Sequence, residues 1–411
     1  MNFTGLLTLK RVASQARWTI LALPWLIAGC VTPVEYGEIP HSAYVAPERC
    51  NPAASDQVDS NDKPLFFVTS RLPNCLTENI SLLNHRGDKI RYGRFAGPRD
   101  VEREPGKTVR AIPLAFSDSQ QWWANLASSM KAADGRVLLY VHGYRETFFT
   151  SSRDTDQIAR LANFSGPAIQ YSWPSQGALF KYPVDETNMY WDERNFRKFL
   201  MQLAQLEATK EIVLISHSLG ARLVLPSVEY VDRNVSNGDS SVISNIILVS
   251  PDVDTQDFER DIAEEILSDR RVRNDRRITV YASIKDRALS LSDGIHGYPR
   301  LGYPRCFDPF KAADLKARNL PERCYAAHPK YTEAVDKAAL TIIDTTAVSR
   351  GRTGHSNYLQ SAPACRDFAA VVNGERKPEG RQSTHLGHVF TLPPIAKDDK
   401  PDHLAICRRK E

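Results

Sequence analysis

Six short apolar runs constrain this chain more than anything else in it: Val137–Val141, Ala168–Tyr171, Ile212–Ile215, Ile246–Val249, Ile278–Tyr281 and Thr341–Ile343. None alternates apolar with polar residues, so both faces of each run must be covered. Strands of a parallel sheet with helices above and below have this character. Helical patterns fill the gaps between them. Ser151 and Asp154 have the spacing of a capping box ahead of Ile158 and Leu161. Phe196, Phe199, Leu200, Leu203 and Leu206 trace one helix face from a start near Asp192. Leu219 to Tyr230 supplies a third helix, and Leu65–Thr69 and Lys89–Phe95 two further strands. The alternation predicts an α/β fold: a mostly parallel central sheet flanked by helices on both faces, with right-handed crossovers.

The strongest chemical signal is Ser216-His217-Ser218-Leu219-Gly220, between the run at 212–215 and a helical pattern. Strand, sharp turn and helix are the setting of a nucleophile elbow, which makes Ser218 the candidate nucleophile. Such a turn needs small residues two before and two after the nucleophile. Gly220 meets the second need; Ser216 stands where glycine is usual, a departure expected to add strain. A serine hydroxyl is a poor nucleophile until a histidine takes its proton and a carboxylate orients that histidine. Asp286 follows the run at 278–281 and is the candidate acid. His355, on a loop after the run at 341–343, is the candidate base. All three then fall at the sheet edge where such folds bind ligands.

Competitors exist for both partners. Asp252 and Asp254 follow the strand at 246–249 and rival Asp286, with a turn or helix cap as their plainer reading. His385, His388 and His403 also come after the acid, but in polar sequence with no strand before them, so they read as surface residues. His385 and His388 lack a third ligand at a zinc-like spacing, and no metal or organic cofactor is expected. His217 is expected to pack locally beside the nucleophile.

The 411 residues carry a net charge of +4 and seven cysteines, an odd set. At 42% hydrophobic and 25% charged, the composition is that of a globular protein and excludes collagen-like, low-complexity and multi-span membrane classes. The first thirty residues account for both oddities. Lys10, Arg11 and Arg17 precede an apolar run from Trp18 to Gly29, about twelve residues long. That is shorter than the roughly twenty a membrane span needs, and right for a secretory leader. Leu26-Ile27-Ala28-Gly29-Cys30 resembles the lipobox of bacterial lipoproteins. The resemblance implies cleavage after residue 29 and a lipid on Cys30, and Val31 after the cysteine implies the outer membrane of the cell envelope. Removing three cations from +4 leaves +1, so nothing favours a nucleic-acid partner. Six cysteines remain: Cys50, Cys75, Cys306, Cys324, Cys365 and Cys407, suited to an oxidising compartment. Proximity favours a Cys306–Cys324 pair.

Residues 30–63 read as the lipidated cysteine and a flexible tether, with prolines at 33, 40, 47 and 52. Residues 64–360 form the expected domain. Within it, 287–335 is too long for a connection and is rich in aromatics, either a lid or a disulfide-held excursion. Residues 361–411 read as a polar C-terminal tail.

Val-His-Gly-Tyr at 141–144, Tyr-Ser-Trp-Pro-Ser at 171–175, the Ser218 elbow, Ser-Pro-Asp-Val-Asp at 250–254, Tyr-Ala-Ser-Ile-Lys-Asp-Arg-Ala at 281–288 and Gly-His-Ser at 354–356 occur in that order. Together they resemble a bacterial branch of the α/β-hydrolase superfamily, over roughly residues 64–360. In that family the triad runs Ser, acid, His along the chain, as Ser218, Asp286 and His355 do here. A His-Gly pair after the first long strand opens the loop giving one oxyanion donor, which implies the backbone amides of Tyr144 and Leu219 as the two donors. The resemblance to esterases and lipases implies hydrolysis of an ester or acyl small molecule. A non-catalytic envelope lipoprotein that uses the fold for binding is the rival reading, and the same triad would also serve an acyltransferase or peptidase.

Overall fold

The computed structural model describes residues 65–74, 81–95, 114–235, 241–268, 276–327, 339–349, 353–359 and 361–395. The leader, the tether and Cys30 lie outside these residues, as do Cys50, Cys75, Cys407 and His403.

Each expected apolar run is a strand: β4 (Arg136–Val141), β5 (Ala168–Ser172), β6 (Glu211–His217), β7 (Asn245–Val249), β8 (Arg277–Ala282) and β9 (Leu340–Asp344). These six pair in parallel. β1 (Leu65–Asn74) joins β5 in parallel, and β2 (Ser81–Phe95) and β3 (Leu114–Ser117) continue the sheet antiparallel. With β10 (Gln382–Ser383) and β11 (Val389–Thr391) the described order is β10-β11-β9-β8-β7-β6-β4-β5-β1-β2-β3.

β6 shows why these runs are apolar throughout. Ile212 and Leu214 enter one buried layer, whereas Val213 and Ile215 enter the other. Each such burial contributes about 1.5–3 kcal/mol, so a polar residue on either face would be costly. The first layer packs against helices α1 (Ser119–Lys131), α3 (Tyr182–Gln205) and α4 (Gly220–Asn234). The second packs against α2 (Phe148–Leu161). Along the chain, β5 is laid on one side of β4 and β6 on the other, so a crevice opens between the carboxyl ends of β4 and β6.

Three elements differ from expectation. α2 starts at Phe148, capped by Thr147 in a reciprocal box with Thr150, not by Ser151 and Asp154. Phe148 is buried against Phe67 and Phe95, with ring centroids 5.1 and 5.7 Å away, which draws the helix start back. α3 starts ten residues before Asp192, because its first turns bury polar Asp185 and Asn188 and so lack an apolar stripe. The stretch taken for a polar tail begins with α8 (Ala362–Val372), whose Ala364, Phe368, Val371 and Val372 are buried in the second layer. Its Asp367 accepts the Tyr281 hydroxyl at 2.7 Å, and β11 pairs with β9, so residues 362–391 belong to the domain.

In the aromatic segment after β8 lie α6 (Arg287–His296) and α7 (Pro309–Ala317). The expected Cys306–Cys324 disulfide is present, and Cys365 is also disulfide-bonded.

Candidate active site

β6 ends at His217 and α4 begins at Gly220, leaving Ser218 and Leu219 to make the turn. Ser218 adopts φ 52°, a left-handed conformation that costs a non-glycine residue about 1–3 kcal/mol. Backbone contacts hold it there: its amide donates to Val249 at 2.9 Å, and its carbonyl accepts the Asp252 amide at 3.1 Å. Arg145 (64°) and Ser250 (43°) share the conformation, so strained backbone gathers at the ends of β4, β6 and β7. The closeness of the two loops explains two glycines. A Cβ on Gly220 would sit 2.5 Å from the His142 carbonyl, and one on Gly143 would sit 2.8 Å from Ser218 Cβ. Backbone therefore packs on backbone where 142–144 meets 218–220. Among the described residues neither the Tyr144 nor the Leu219 amide has a hydrogen-bond acceptor.

Ser216 departs from expectation in kind. Its φ is not left-handed; the strain falls on Ser218 instead. The anomaly at Ser216 is a fully buried hydroxyl with no hydrogen-bond partner among the described residues. An unsatisfied buried polar group costs about 1–3 kcal/mol, so Ser216→Ala is expected to stabilise the protein by about 1 kcal/mol in chemical denaturation. A loss of stability would show that the hydroxyl has a partner.

Asp286 and His355, 69 residues apart, meet at the same edge: His355 Nδ1 donates to Asp286 Oδ2 at 2.8 Å. The other Asp286 oxygen accepts the Leu289 amide at 3.0 Å, capping α6 and fixing the carboxylate. Burial lowers the His355 pKa, but the charge and hydrogen bond of Asp286 outweigh it and hold the imidazole above its ordinary 6.5. His217 packs beside this ring, with centroids 4.7 Å apart, and its Nε2 donates to the His355 carbonyl at 3.2 Å. Burial, then the nearby His355, push the His217 pKa down to about 3, so it stays neutral and does not repel a charged His355. Among the described residues no hydrogen bond joins the Ser218 hydroxyl to His355. The geometry delivers an elbow and an acid–histidine pair side by side.

The rival acids have other partners. Asp252 is buried and ion-paired with Arg222 at 3.3 Å and Arg300 at 3.6 Å. It also accepts hydrogen bonds from Ser292 Oγ at 2.6 Å and from the Tyr182 hydroxyl. Burial raises its pKa, but these partners more than reverse the effect and hold it below the ordinary carboxylate value. Asp254 caps a short helix, α5 (Thr255–Asp257), through the Gln256 amide at 2.8 Å. His388 hydrogen-bonds the carbonyls of Leu386 and Ala326 at 2.9 Å each.

One supporting residue escaped the sequence reading. Arg71, fully buried on β1, donates to Ser172 Oγ at 2.8 Å, Asn84 Oδ1 at 2.8 Å, and the carbonyls of Ser175 at 3.0 Å and Glu146 at 2.7 Å. It ties the loop after β4 to the loop after β5. There the His142 ring stacks on Trp173 at 4.8 Å, and the indole donates to the His142 carbonyl at 2.8 Å. No short motif signals Arg71, since its partners lie up to 104 residues away.

A mostly parallel sheet covered on both faces, with an elbow serine between strand and helix, decides the architecture. The fold is that of an α/β-hydrolase. Residues 117–319 match a family described as an α/β-hydrolase of unknown function (DUF900). No curated protein matches the chain. Among solved structures, a predicted CIB-like hydrolase from Thermoplasma acidophilum is similar at 11% identity and a TM-score of 0.30, covering 70% of this chain and 92% of its own. A thermophilic esterase from Thermogutta terrifontis is similar at 15% identity and a TM-score of 0.27, covering 61% of this chain and 88% of its own.

Proposed function

We propose that this α/β-hydrolase is a serine esterase held at the bacterial envelope, in the outer membrane, by a lipid on Cys30. Ser218 Oγ attacks the ester carbonyl while His355 Nε2 takes its proton and then returns it to the departing alkoxide. Water, activated by the same imidazole, releases the acid from the acyl-enzyme. Asp286 keeps Nδ1 protonated, leaving Nε2 free to act, and its charge stabilises the imidazolium. The oxyanion is met by the amides of Tyr144 and Leu219. The observation that carries this reading is the 2.8 Å Asp286–His355 hydrogen bond beside a serine held at φ 52°. Nucleophile–base contacts often tighten only with substrate in place, so the lack of a Ser218–His355 hydrogen bond among the described residues is compatible with it.

A fluorophosphonate probe tests the proposal. Wild-type protein should be labelled and Ser218→Ala should not. Well-folded wild type that resists labelling would return the chain to the non-catalytic, binding reading. The anchor rests on the basic leader and the lipobox-like residues ending at Cys30. Cys30→Ser should move the expressed protein from the membrane fraction to the soluble one; retention in membranes would remove the lipid from the account.

A further inference from the structure

Beside the acid–histidine pair lies an open hollow of about 280 Å³. Its walls include Asp286 itself and Gly354, the residue before His355. The rest of its lining is mainly polar: Lys285, Arg287, Ser290, Tyr303 and Ser349. Lys285 and Arg287 are both solvent-exposed on this rim. Other arginines of this edge have acidic partners: Arg222 and Arg300 with Asp252, Arg305 with Asp293, Arg323 with Asp344. Lys285 and Arg287 have none among the described residues. The single carboxylate in the wall is fully buried, with one oxygen on His355 and the other on the Leu289 amide. The hollow therefore presents two exposed cations with no acidic partner among the described residues, together with the hydroxyls of Ser290 and Tyr303. Its volume lies just below the range for drug-sized ligands, which suits a small charged group rather than an acyl chain.

We infer that this cavity binds a small oxyanion, a carboxylate or phosphate group, through Lys285 and Arg287. Arg287 offers a planar fork for two oxygens, and Lys285 a mobile point charge. The hydroxyls of Ser290 and Tyr303 complete the shell as donors. The hydrolase reading matters only to what carries the anion: a group on the ester being cleaved, or a free anion beside the reaction centre.

Titration calorimetry of Ser218→Ala protein with inorganic phosphate, and separately with succinate, tests the site without relying on turnover. Binding is expected, and adding Lys285→Ala and Arg287→Ala should raise Kd by about tenfold or more. Thermal melting of this variant, and of Arg287→Glu alone, guards against a loss that merely reports unfolding. No binding heat, or an affinity indifferent to both cations in folded protein, would overturn the inference. The source is read with active protein, comparing a monosuccinate ester with the butyrate ester of the same alcohol. If the substrate carries the anion, the anionic-to-neutral ratio of kcat/KM falls about tenfold when the two cations are removed. A ratio that holds while phosphate affinity falls assigns the site to a free anion. A protein that hydrolyses neither ester would sink the esterase proposal and leave the calorimetry intact.

Discussion

Ser218→Ala is expected to lower ester turnover by roughly 10⁴- to 10⁶-fold, the range seen when the nucleophile of a Ser-His-Asp constellation is removed. The expectation follows from the covalent route. Without Oγ no acyl-enzyme forms, and what remains is the rate a bound water achieves near the amides of Tyr144 and Leu219. Stability should change little or rise, since alanine at φ 52° has much the same backbone strain as serine and leaves no buried hydroxyl. Initial rates with a chromogenic short-chain ester, together with a melting curve, check both halves. A loss of less than about tenfold in folded protein would mean that Ser218 is not the nucleophile.

Asp286→Asn is expected to cost about 10⁴-fold in kcat, because an amide in that place stabilises the wrong histidine tautomer and offers no charge to the imidazolium. The pH profile separates this role from a structural one. His355 must be neutral to accept a proton, so kcat/KM should fall on the acid side, with an inflection above 6.5 in the wild type. In Asp286→Asn the opposing influence of burial dominates, and the inflection should move to lower pH. An inflection that stays in place would remove Asp286 from the base's environment. Asp252→Asn makes the contrast. Asp252 is buried against Arg222 and Arg300, so its loss leaves those cations under-compensated and should lower stability by several kcal/mol. Its residual turnover, measured on folded protein at low temperature, should exceed that of Asp286→Asn. The reverse order would make Asp252 the acid.

Much of this site was legible because its parts are local. The elbow needs a strand, a turn with small flanking residues and a helix, and all three lie within residues 211–234. The disulfide joins cysteines only 18 residues apart. Asp286 and His355 could be named because each follows an apolar strand, and strand ends in a parallel sheet share one edge. Misreadings arose where burial did not follow hydrophobicity. The first turns of α3 bury Asp185 and Asn188, leaving no apolar stripe to count. α8 does carry apolar residues at helical spacing, but they sit in sequence that is otherwise polar.

The sequence by itself determined the strands, the crossover helices, the Ser218 turn and a short list of acids and histidines. These depend on periodicity, side-chain size and neighbours a few residues away. Tertiary structure alone decided which acid meets His355, where the strain of the elbow lies and what supports the loop after β4. Asp286 and Asp252 both follow strands of the same sheet, and nothing local separates them. The difference is that Asp286 caps α6 with one oxygen facing His355, whereas Asp252 is enclosed by Arg222, Arg300, Tyr182 and Ser292. Such pairings depend on the order in which the sheet sets its strands side by side, which no stretch of a few residues encodes.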